Sequence, residues 1–157
     1  MSANTFTAAR ATTGTTTGTT TGTAADRKAR RNLRRFLALD AVVSGGNGLA
    51  YLAFAGPLGD LLGVGASTLV ELGAVLAAFG LAVALLAARP RPTRPAVQAV
   101  IDINLAWAVL SLVAMEFWLE PSTAGLVWIP LQAGTVMLFA VLQFTALRRT
   151  AAAARPS

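Results

Sequence analysis

Residues 36–55 read FLALDAVVSGGNGLAYLAFA, and the fold of the whole chain turns on this stretch. Twenty residues at ~1.5 Å rise cover roughly 30 Å, the hydrocarbon thickness of a bilayer. Within the stretch, Asp40, Ser44, Asn47 and Tyr51 fall at i, i+4, i+7 and i+11, which places them in one stripe on a helix. An apolar span with a polar stripe needs partners against which to lay that stripe.

Moving outward towards the amino terminus, the span is preceded by RKARRNLRR at residues 27–35. Residues 1–25 are threonine-rich, with Gly14, Gly18 and Gly22 spaced four apart and no apolar period. Such a composition buries too little surface to offset its ordering entropy, so a disordered tail is expected. Towards the carboxyl terminus three further apolar spans follow, at about 67–88, 96–118 and 123–147. The run Arg89-Pro90-Arg91-Pro92 stops the second, Glu120-Pro121 ends the third, and Arg148-Arg149 follows the fourth. Two readings stay open at Pro130: it kinks the fourth helix, or it opens a span that a short interfacial piece precedes. The expectation is an all-α protein, a four-helix transmembrane bundle over 36–149. Residues 1–35 form a disordered and basic tail, and 150–157 a short one.

Composition agrees. Of 157 residues, 55% are hydrophobic and 13% charged, about half the charge of a soluble domain. With no cysteine and no histidine, disulfides, thiol catalysis, ordinary zinc sites and histidine- or cysteine-held haem are excluded. No phosphate loop, dinucleotide loop or nucleophile elbow is present, so neither an enzyme nor a cofactor is expected. The net charge of +6 raises nucleic acid as a partner, but no aromatic or folded reader accompanies the basic tail.

All thirteen basic residues lie before the first span, between spans two and three, or after span four. The only charged residues in the loops at 56–66 and 119–121 are acidic, Asp60 and Glu120. The positive-inside rule then predicts a multi-pass cell-membrane protein with both termini cytoplasmic. Arg30, Arg31, Arg34 and Arg35 are expected to lie on anionic inner-leaflet lipids. A cleaved twin-arginine signal, suggested by Arg34-Arg35 and Ala53-Phe54-Ala55, is the competing reading; the span is longer than the ~7–15 apolar residues of a signal.

Polar groups inside the spans form the candidate intramembrane site: Asp40, Ser44, Asn47, Tyr51, Asp102, Asn104, Glu116 and Gln132. Asp40 and Asp102 read most simply as carboxylates near helix N-termini, paired with Arg35, Arg89 or Arg148, and otherwise as a proton or cation entry point. Asp102 and Glu116 share one face of the third span, and Asn104 and Ser111 mark the opposite one. Asn47, among Gly45, Gly46 and Gly48, reads as packing glue or as a ligand site. Gln132 and Gln143 share a face that is expected to meet the Asp40 stripe. Glu71, Ala74, Val75, Ala78 and Ala82 are expected to form the tight-packing face of the second span.

The segments Leu39-Asp40-Ala41-Val42-Val43, Asn47-Gly48-Leu49-Ala50-Tyr51, Gly56-Pro57-Leu58 and Asn104-Leu105-Ala106-Trp107 resemble small four-span integral membrane proteins of actinobacterial type. In size and span count the chain is also similar to DoxX-like membrane proteins. The resemblance covers about residues 34–149 and transfers no site residue. The leading expectation is a structural or accessory subunit that self-associates or joins a larger membrane partner. The alternative is a small transporter or proton-coupled carrier that uses the intramembrane polar residues.

Overall fold

The computed structural model describes residues 19–153, all of whose regular structure is helical. The elements are α1 (Thr19–Ala53), α2 (Ala55–Leu62), α3 (Ala66–Ala88), α4 (Arg94–Phe117) and α5 (Thr123–Ala153). Four of them, α1, α3, α4 and α5, are long and apolar enough to cross a membrane. Only 28–33% of each apolar window is buried inside the bundle, so most of its apolar surface faces outward, as lipid requires and water does not. The chain is a multi-pass membrane protein.

Helix α1 extends further than expected. Residues 19–35, assigned above to the tail, are helical, and the rest of the proposed disordered tail lies outside the described residues. Ala, Lys, Arg and Leu are strong helix formers, and Arg30 Nε donates to Asp26 at 2.9 Å, an i,i+4 pair. At the other end α1 stops where proline dictates. Pro57 has no N–H for the Ala53 carbonyl, the chain bends at Phe54, and the short helix α2 begins.

A left-handed Gly63 (φ 70°) closes α2 and donates to the Gly59 carbonyl at 2.9 Å. The end of α2 then docks on the start of α5. Ser122 donates through N to the Leu62 carbonyl (3.0 Å) and through Oγ to the Leu61 carbonyl. The same Oγ accepts from Gly125 N at 3.2 Å and so caps α5. Pro130 lies within one continuous α5, so no separate interfacial piece precedes it.

The bundle is arranged around α1, which packs against α3 on one side and α5 on the other. Helix α4 lies on α5, and α3 and α4 barely touch. The α1–α3 seam is made by Gly45 and Gly48 against Gly73, Ala77 and Gly80. A Cβ at Gly80 would sit 2.6 Å from Gly45 Cα, and one at Gly48 would sit 2.5 Å from Ala77 N. This corrects the expected packing face of α3. Glu71, Ala74, Val75, Ala78 and Ala82 are all exposed, because the glycines on the neighbouring face allow closer approach than alanines do.

A candidate site around a buried carboxylate

Asp40 lies 21 residues into α1 and is 0% exposed. Three neutral side chains hold it. Ser44, one turn further on, donates Oγ to Oδ1 at 2.9 Å; Asn104 of α4 donates Nδ2 to Oδ2 at 2.7 Å; Gln143 of α5 donates Nε2 to Oδ2 at 2.7 Å. All four residues are at least 96% buried. The cluster forms because α1 lies beside α5 and α5 beside α4, which brings three polar stripes to one level.

The simpler expectation for Asp40 fails in both parts. Since α1 starts at Thr19, Asp40 is far from the N-terminus of its helix, and no arginine among the described residues pairs with it. Arg34 instead donates Nε to the Ala87 carbonyl at 2.8 Å and reaches the Ala88 carbonyl at 3.5 Å, which caps the proline-terminated end of α3. Arg148 stacks on Phe144, 5.4 Å from the ring centroid. Arg31 and Arg35 are exposed, whereas Arg30 is half-buried against Asp26.

Of the other candidate residues, Tyr51 and Gln132 meet in a second network. Tyr51 donates its hydroxyl to Gln132 Oε1 at 2.9 Å and accepts from Trp128 Nε1 at 2.8 Å. Asn47 is half-buried and lines a cavity of about 280 Å³ with Ser44, Gln132 and Thr135. Asp102 does not join the cluster. It is exposed and accepts from Gln98 Nε2 at 2.9 Å, on the face opposite Asn104 as the spacing implies. Glu116 is exposed as well.

Two more cavities continue this interior. One of about 210 Å³ is bounded by Ser44, Asn104, Phe79 and Trp107. Another of about 270 Å³ is bounded by Tyr51, Trp107, Gln132 and the α2 end. Trp107 lines both, so it stands between the Asp40 cluster and the far chamber.

No family model, curated protein or solved structure matches this chain. The site is therefore read from its own chemistry. No group of three or more acidic, histidine or cysteine side chains is assembled among the described residues. What the cluster offers is one carboxyl group, three donors already aimed at it, and a spare acceptor: Gln143 Oε1 is buried with no partner.

Gln143 was visible in the sequence as a residue sharing a face with Gln132, and it proves to be the third donor. Trp107 carried no signal in the sequence beyond its depth. Its buried Nε1 also has no partner.

Proposed function

We propose that this is a four-span cell-membrane protein with both termini cytoplasmic, acting as a small proton-coupled carrier with Asp40 as its proton-binding group. One observation carries the reading: a fully buried carboxyl group inside the spans is held by neutral side chains from three helices. An intramembrane ionisable residue is costly, by ~2.5–3.5 kcal/mol on insertion scales. An asparagine could make as many bonds at this position without a charge, so the property that sets aspartate apart is its exchangeable proton.

The geometry supplies a step for that proton. When Asp40 takes it up, the carboxyl becomes a donor and needs an acceptor. Gln143 Oε1 is buried and unpartnered, and half a turn of its amide presents it to Asp40. That rotation exchanges the Gln143 Nε2 bond to Oδ2 for a carboxyl O–H bond to Oε1, so α1 and α5 stay tied in both protonation states and the unpartnered atom changes from Oε1 to Nε2.

Infrared difference spectroscopy on the full chain in nanodiscs tests this reading. A protonated-carboxyl band that is present in the native chain and absent from Asp40→Asn is the expected result. A carboxyl signal unaffected by Asp40→Asn would refute it. Orientation has its own test, helped by the lack of native cysteine. In intact cells an impermeant thiol reagent should label Asp60→Cys and not Thr93→Cys.

The accessory-subunit reading is favoured by a different feature. A shallow groove between α1 and α3, floored by Ala41, Gly45, Gly46 and Gly80 and edged by Ala77 and Ala84, faces outward. It suits close approach of another helix, from a second copy or a larger partner. Ala78→Leu fills the groove without touching Asp40; loss of a co-purifying membrane partner, with no protonated-carboxyl band assignable to Asp40 in wild type, would favour this reading. Neither reading involves enzymatic chemistry.

A further inference from the structure

At the arginine-rich end of the bundle a cavity of about 180 Å³ lies among α1, the start of α4 and α5. Its floor is the end of the hydrophobic core, Leu33 and Leu147, and its rim carries Arg30, Arg94 and Thr150. The two arginines come from different helices, and neither is fully engaged. Arg30 meets Asp26 through Nε, which leaves its terminal nitrogens uncommitted. Arg94 is exposed, and its guanidinium makes no hydrogen bond or ion pair among the described residues. No acidic residue lines the cavity. Of the four arginines expected on anionic lipid, Arg30 alone lines it, so positive charge is gathered here by α1 and α4 together rather than spread along α1.

Depth decides what such a cavity meets. Arg34 caps the end of α3, and Arg30 lies one turn further out, ~6 Å along α1. The polar layer of a bilayer extends ~5–8 Å beyond the hydrocarbon on each side, so the rim stands at headgroup level. We propose that this cavity is a site for the phosphate group of a membrane lipid, held between the guanidinium groups of Arg30 and Arg94. Guanidinium pairs with phosphate through two parallel N–H bonds, and basic pockets between spanning helices suit anionic headgroups. Cavities of ~150 Å³ hold benzene, so this one has room for a phosphate group and the glycerol carbon that bears it, with the leucine floor beneath. Asp40 lies ten residues further along α1, ~15 Å away, so the site stands whether or not Asp40 exchanges a proton.

The test is native mass spectrometry of the full chain, released from micelles titrated with dioleoylphosphatidylglycerol. One lipid per chain should bind ahead of any others, and Arg94→Gln should weaken that first binding about fivefold. Arg31→Gln removes the same charge from an exposed position outside the cavity and should weaken it less than about twofold. Ala151→Leu narrows the cavity at constant charge and should weaken the first binding as Arg94→Gln does. A ladder of adducts with no preferred first lipid overturns the proposal. So does equal weakening by Arg94→Gln and Arg31→Gln with none from Ala151→Leu, because the lipid would then follow diffuse charge. Inorganic phosphate in excess should leave the lipid in place; its displacement would assign the site to the free anion and overturn the lipid.

Discussion

Replacing Asp40 by asparagine and by leucine separates the bonds of the cluster from its charge. In Asp40→Asn the remaining oxygen takes the Oδ2 position and still accepts from Asn104 and Gln143. The new amide then donates to Ser44 Oγ, which reverses its role. Three bonds remain, so stability should stay within about 1 kcal/mol of the native chain. In Asp40→Leu the branching is the same, but two methyl groups replace the oxygens, and Ser44, Asn104 and Gln143 all lose their acceptor inside the bundle. Each orphaned donor costs about 0.6–2 kcal/mol, between the average for interhelical bonds in membranes and that for buried groups in soluble cores. The loss should total about 2–6 kcal/mol. Unfolding by SDS in mixed micelles, followed by far-UV circular dichroism, measures both. Equal destabilisation by the two variants would falsify the account, because the charge and not the bond pattern would then hold the helices. A leucine variant as stable as the native chain would mean that the cluster does not tie α1 to α4 and α5.

Three further outcomes follow from the packing and the networks. Gly80→Leu places its Cβ 2.6 Å from Gly45 Cα, forcing α1 and α3 about 1 Å apart at a cost of about 1–3 kcal/mol in the same SDS titration; Gly46→Leu, with nothing within 4 Å of its Cβ, should be tolerated. Ser122→Ala removes both the α5 cap and the bond to the Leu61 carbonyl. It should lower stability by about 1–2 kcal/mol, with amide hydrogen exchange speeding up in α2 and little changed in α1. Tyr51→Phe strands Trp128 Nε1 and Gln132 Oε1 and should cost about 1–2 kcal/mol, with altered tryptophan near-UV dichroism.

The spans were legible because their signal is local. Twenty apolar residues ended by prolines and arginines have few readings, and α1, α3 and α4 end within four residues before those markers, whereas α5 runs past Arg148-Arg149 to Ala153. The short helix α2 was missed, since its eight residues contain Pro57 and two glycines and read equally well as a loop. The packing face of α3 was misassigned for a physical reason. A row of alanines looked suited to close contact, yet a neighbouring face carrying Gly73 and Gly80 permits a still closer one. Choosing between them requires knowing that Gly45 and Gly48 lie opposite.

The same division runs through the site. Asp40, Ser44 and Asn104 could be named because polar residues in apolar spans are few, and Gln143 could be placed on the right face by its spacing from Gln132. What local spacing could not supply was the choice of partners. An arginine beside a carboxylate is a good guess when the helix is taken to start at residue 36. In the structure Arg34 is level with the end of α3, where the helix-end carbonyls of Ala87 and Ala88 accept from its guanidinium. The carboxyl group is then left to the neutral amides of α4 and α5. Which side chains lie level with Asp40 thus decides whether it belongs to an ion pair or to a buried cluster of neutral donors.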